Sequence, residues 1–68
     1  MSKKELNYMY DVISRVSYET FIKEFGFSPE EARESIDSFD LKGNIADNPE
    51  MYRHMSPEQI CDCILGLR

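Results

Sequence analysis

The sequence predicts an all-α protein, a small bundle of three to four helices forming one domain over residues 1–68. Three observations lead there. Apolar residues recur at intervals of three and four, the pattern of a helix face. Proline follows Ser28, Asn48 and Ser56 directly, and proline is best tolerated in a helix's first turn, behind a capping side chain. Nothing in the chain alternates apolar and polar residues as a half-buried strand would. With 41% apolar and 31% charged residues, the composition is globular rather than disordered. A domain this small has a modest core, so its stability is marginal unless a partner or a second copy adds burial.

The first segment, about residues 3–25, contains neither Gly nor Pro. At about 100° per residue, Leu6, Met9, Ile13 and Val16 fall on one side, flanked by Tyr10 and Val12. Tyr18, Phe21, Ile22 and Phe25 fall nearly opposite, and the switch comes at Ser17. Two readings account for this. The helix breaks at 17, with Ser17 capping a new short helix, or it stays continuous and buries one face in the core and the other against a partner. The residues favour the break. In either case the segment carries more apolar surface than one amphipathic helix needs.

Gly26 reads as the permissive residue that closes this segment. In Phe27-Ser28-Pro29-Glu30-Glu31, Ser28 is the N-cap and Glu31 the return member of a capping box, with Phe27 stapling toward Ala32. The second helix should span 29–39, burying Ala32, Ile36 and Phe39, with Arg33 and Asp37 spaced for an ion pair. Residues 40–48 read as a loop marked by Gly43, Asn44 and Asp47-Asn48-Pro49, from which Leu41 and Ile45 plug into the core. A short third helix follows over 49–55. Ser56-Pro57-Glu58-Gln59 then starts a last one over 57–67, with Ile60, Cys63, Ile64 and Leu67 inward. The three capped starts differ in spacing and are not an internal repeat.

Gly26-Phe27-Ser28-Pro29-Glu30-Glu31-Ala32, followed by Ile36, locally resembles the loop and second helix of ubiquitin-associated domains over about a quarter of the chain. That family places a compact third helix soon after a Gly-Asn turn. Here Gly43-Asn44 leads instead to Asp47-Asn48-Pro49 and two further helix starts, so no functional residue is carried over.

The chemistry of catalysis has no foothold in this sequence. It needs a nucleophile beside a base, or tuned carboxylates in a pocket. The only histidine is His54, and the three glycines stand too far apart to cradle phosphate. Cys61 and Cys63 are two apart, so on a helix their sulfurs point nearly opposite ways and neither pair nor share a metal. No enzyme, cofactor or metal is expected. The positions a calcium loop would need around Asp37 or Asp40 hold Phe39, Leu41 and Lys42. Residues 18–39 could be drawn as a helix-turn-helix, but the second helix sets four acids against Arg33, the wrong sign for phosphate. Direct nucleic-acid binding is therefore not expected. Neither a signal peptide nor a membrane span fits, and free thiols suit a reducing, cytoplasmic setting. The opening Met1-Ser2-Lys3-Lys4 reads as the start of a complete, very small bacterial or phage gene product.

What remains is binding. Residues 1–25 carry four basic and four acidic side chains, whereas 26–55 hold seven acids against Arg33, Lys42 and Arg53, in a chain of net charge −5. Such an acidic face is either simply solvated or fitted to a partner's basic groove, as on a protein that handles nucleic acid. Glu30, Glu34 and Asp37 are its candidate contacts. Tyr8, Tyr10, Tyr18 and Phe21 form a second candidate surface, because tyrosine joins apolar area to a polar tip. The expected function is a small acidic regulatory protein, an inhibitor or adaptor that binds another protein. The alternative is a structural module that forms a homodimer through its first segment.

Overall fold

The computed structural model describes residues 2–67 and is all-helical among them, with five α-helices. They are α1 (Lys3–Lys23), α2 (Pro29–Ser38), α3 (Leu41–Asp47), α4 (Pro49–His54) and α5 (Pro57–Ile64). The long α1 is the spine of the molecule, and α2, α3 and α5 all pack on it.

Ser2 caps α1 by accepting the Glu5 N–H at 3.1 Å. The helix then runs unbroken through Ser17, so the expected break does not occur. Ser17 is fully buried in mid-helix, and with Ile13, Thr20 and Phe21 it forms the buried stripe of α1 at intervals of three and four. Leu6, Met9 and Tyr10 extend this stripe toward the N-terminus as half-buried residues. Its midline is thus partly polar, and the two opposed apolar faces are its two shoulders. Met9, Val12 and Val16 line a groove with Tyr52, Met55, Pro57 and Ile60 on one side. On the other, Tyr10 and Tyr18 border Arg33 and Ile36 of α2. Both shoulders find neighbours within the chain.

Gly26, at φ +70°, turns the chain out of α1, and the Phe27 N–H reaches the Phe21 carbonyl at 3.0 Å. Phe27, expected to staple toward Ala32, stacks flat on Phe21 with centroids 5.0 Å apart, and Phe25 meets Phe21 edge-on at 5.5 Å. The capping box opening α2 is complete. Ser28 Oγ accepts from Glu31 N at 3.2 Å, and Glu31 Oε1 accepts from Ser28 N at 3.1 Å. Ala32 and Ile36 are buried as expected, and Phe39 is half-buried.

Residues 40–48 are not a loop. Asp40 caps α3, its carboxylate accepting the Gly43 N–H at 3.2 Å while the Asn44 side chain donates to the Asp40 carbonyl at 2.6 Å. Leu41 and Ile45, four apart, are buried on the inner face of this helix. A Cβ on Gly43 would collide with the Asp40 carboxylate, so the glycine read as a loop marker makes room for the cap. Asn48 ends α3 and caps α4 by accepting the Met51 N–H at 3.4 Å. Ser56 and Gln59 build a second capping box on α5. That last helix stops at Ile64 rather than Leu67. Gly66, at φ +76°, donates to the Cys63 carbonyl at 3.1 Å and Leu67 to the Asp62 carbonyl at 2.8 Å, a two-bond closure. Leu67 is consequently 68% exposed instead of buried, and Cys61 rather than Cys63 takes the central core position. Among the described residues, no helix is long and apolar enough to cross a membrane.

Candidate functional site

The chain's two candidate surfaces separate once folded. Glu30, Glu34 and Asp37 lie on α2 at intervals of four and three, which places them in one line along the helix. All three are exposed. None makes an ion pair or hydrogen bond among the described residues. Their neighbour Glu31 differs, because its carboxylate belongs to the capping box. Arg33, the only cation on α2, sits over the Tyr18 ring at 5.9 Å and does not pair with Asp37 as the spacing had suggested. On other helices Asp11 pairs with Arg15 and Glu50 with Arg53, each at 2.7 Å, whereas Glu19 on α1 makes no ion pair either among the described residues. The acidic line on α2 has no such partners.

The aromatic set does not form one surface. Phe21 is fully buried and belongs to the core, stacked between α1 and the turn into α2. Tyr10 and Tyr18 are half-buried and pack against that core, with Tyr18 under Arg33. Only Tyr8 is exposed, at 72%, at the edge of the groove that Met9, Val12 and Val16 form with Arg53 and Met55.

Two contacts not anticipated from the sequence involve the cysteines. The Cys61 thiol donates to the Ser17 carbonyl at 3.5 Å, and the Cys63 thiol and Tyr52 hydroxyl share a hydrogen bond at 3.9 Å. Burial pushes the Cys61 thiol up to about 11, helped by the nearby Asp62 and Glu58 carboxylates. Burial also pushes Tyr52 up to about 12, with Cys63 adding to the effect. A thiol held protonated is a weak nucleophile and a weak ligand. Its spacing from Ser17, 44 residues away, left no local signal in the sequence. Among the described residues no three His, Cys, Asp or Glu side chains gather where one metal ion could be held.

Gly43 and Asn44 lie inside α3 and form no turn, so the turn that a ubiquitin-associated domain places before its third helix is absent. Neither a family model, nor a curated protein, nor a solved structure matches this chain.

Proposed function

We propose that this protein acts by binding another protein, presenting the line Glu30–Glu34–Asp37 to a basic surface of that partner. The observation that supports this reading is the exposure of three carboxylates in register, without cations of their own, on the outer face of a firmly capped helix. Like charges four apart weaken an isolated helix by a few tenths of a kcal/mol (roughly 0.2–0.5). A basic groove would relieve that repulsion, and the −5 net charge would steer the encounter. The partner chemistry that fits best is a groove that otherwise holds phosphates, where carboxylates compete for the same lysines and arginines. The chain then works as an inhibitor or adaptor of a nucleic-acid-handling protein.

The test is capture of a partner from the source cell by the native protein and by a triple variant, Glu30→Lys, Glu34→Lys and Asp37→Lys. The variant should fold, since none of the three side chains is a cap or in the core. Near the helix ends the lost Glu30 and the reversed Asp37 act oppositely on the dipole. The expected result is a discrete partner that native protein retains, that the variant loses, and that salt releases. Equal retention by the triple variant would remove this reading.

A further inference from the structure

We infer that the basic partner sets one arginine into the cleft between α2 and α5, its guanidinium beside Glu34 and its stem against Phe39, Ile64 and Leu65. This deepens the reading above and rests on it for the class of partner. Both helices pack on α1 more than on each other, which leaves an open cleft of about 490 Å³ between them. Its polar lining comes from one face of α2, where Glu34, Ser35 and Ser38 fall at helical spacing. Its apolar lining is Phe39 with Ile64 and Leu65; Ile64 is buried and the other two are half-buried.

Three features of this cleft suit a cation. The Glu34 carboxylate is exposed at its edge and makes no ion pair or hydrogen bond among the described residues, whereas that of Glu31 beside it is engaged in the capping box. Ser38 and Phe39 are the last residue and C-cap of α2, and Ile64 and Leu65 hold the same places in α5. The negative ends of two helix dipoles therefore border one cleft. Neither helix has a basic residue in its last turn, and no Lys or Arg lines the cleft among the described residues. Arg33 and Lys42 border other depressions.

The apolar lining decides which cation fits. An ammonium is compact and strongly hydrated, and Phe39 and Leu65 offer it nothing. A guanidinium is weakly hydrated, stacks on an aromatic ring, and presents a fork of donors to a carboxylate and neighbouring hydroxyls at once. Its aliphatic stem covers apolar surface that water otherwise wets. The rest of the partner's basic surface then falls on Glu30 and Asp37, which flank Glu34 on the same line.

Titration of Nα-acetyl-arginine amide into the isotope-labelled whole chain, followed by amide chemical shifts, tests the cleft without the partner. The expected result is a cluster of shifts at Ser35, Ser38, Phe39 and Leu65, with a dissociation constant of about 1–10 mM. The citrulline amide, of the same shape without the charge, should leave those amides still, and the lysine amide should bind about threefold more weakly. Glu34→Gln should weaken the arginine probe about threefold. Ser38→Arg, which places a cation of the chain's own in the cleft, should abolish binding while raising the melting temperature, a pair of effects that unfolding could not produce. Equal shifts from the citrulline or lysine amide, shifts spread over every acidic residue, or no effect of Glu34→Gln would each overturn the proposal. Partner capture separates it from the reading on which it rests. A partner kept by Ser38→Arg but lost by Glu30→Lys combined with Asp37→Lys removes the arginine and leaves the acidic line standing. A partner kept by both variants removes both.

Discussion

The Cys61 thiol donates a 3.5 Å hydrogen bond to the Ser17 carbonyl, and at that point α5 crosses α1 with neither residue exposed. A small side chain from each helix lets the two backbones approach. The arrangement leaves one defect: Ser17 Oγ is buried and finds no hydrogen-bond partner among the described residues. An unpaired buried hydroxyl costs about 1–3 kcal/mol. Ser17→Ala, which removes the hydroxyl and keeps the close approach, should therefore raise the urea midpoint by the equivalent of about 1 kcal/mol. Ser17→Leu should lower stability by about 1–3 kcal/mol or more, because the crossing has no space for it. A Ser17→Ala variant less stable than native would show that the hydroxyl has a partner after all.

Gly26 and Gly43 should respond differently to the same substitution. At Gly26 a Cβ would meet nothing within 4 Å, but φ is +70°, so Gly26→Ala pays the left-handed backbone strain of about 1–2 kcal/mol. At Gly43 the backbone is helical and the obstacle is the Asp40 carboxylate. Gly43→Ala should displace that cap, losing about 1 kcal/mol while regaining a similar amount of helix propensity. Thermal melts should place Gly26→Ala clearly below native and Gly43→Ala near it. In an Asp40→Ala background, where no cap is left to displace, Gly43→Ala should become stabilising.

The sequence disclosed those parts of this fold that are specified locally. Ser28-Pro29 with Glu31 and Ser56-Pro57 with Gln59 mark helix starts because a cap needs only residues within one turn. The acidic line on α2 was legible for the same reason, as helical spacing puts Glu30, Glu34 and Asp37 in line wherever the helix sits. Continuity of α1 was not legible. Its buried midline includes Ser17 and Thr20, whose burial depends on α5 and the rest of the fold, so the apolar residues seemed to mark two faces. The helix α3 over Leu41–Asp47 was hidden by Gly43 and Asn44, which usually signal a turn. Here the Asp40 cap and the burial of Leu41 and Ile45 outweigh that preference.

Tyr8 and Phe21 share a helix, yet the fold assigns them opposite roles. Phe21 is fully buried, stacked at 5.0 Å on Phe27, whereas Tyr8 is 72% exposed. Phe21→Ala should cost about 3–5 kcal/mol, enough to unfold much of so small a domain at room temperature. Tyr8→Ala should move stability of the monomer by no more than about 0.5 kcal/mol. Circular dichroism in urea, recorded at a concentration low enough to exclude association, separates the two outcomes. A large loss at Tyr8 under those conditions would mean that its ring packs on this chain's own core.

Alkaline pH should unfold this protein through two groups whose ionisation the fold resists. Cys61 is raised from 9.0 to about 11 and Tyr52 from 10.0 to about 12, in each case chiefly by burial. Both are neutral when protonated, so below pH 9 neither distinguishes the folded from the unfolded chain in charge, and the stability they contribute is fully present. As pH rises past 9 the unfolded chain gives up the Cys61 proton first. The folded state then binds more protons than the unfolded one, and the free energy of unfolding falls with pH. Tyr52 adds to the slope above pH 10, and each group's loss accumulates until the pH reaches its folded value and levels off there. Urea midpoints should accordingly hold level up to about pH 9 and decline steadily from there. Cys61→Ala should remove the component of that decline that sets in at pH 9, and Tyr52→Phe the component that sets in at pH 10. The Tyr52 hydroxyl also holds the Cys63 thiol at 3.9 Å, a weak contact whose loss in Tyr52→Phe should cost under about 1 kcal/mol at neutral pH. A midpoint unchanged between pH 9 and 11 would mean that water reaches the Cys61 sulfur, and that the α1–α5 crossing is looser than its 3.5 Å contact implies.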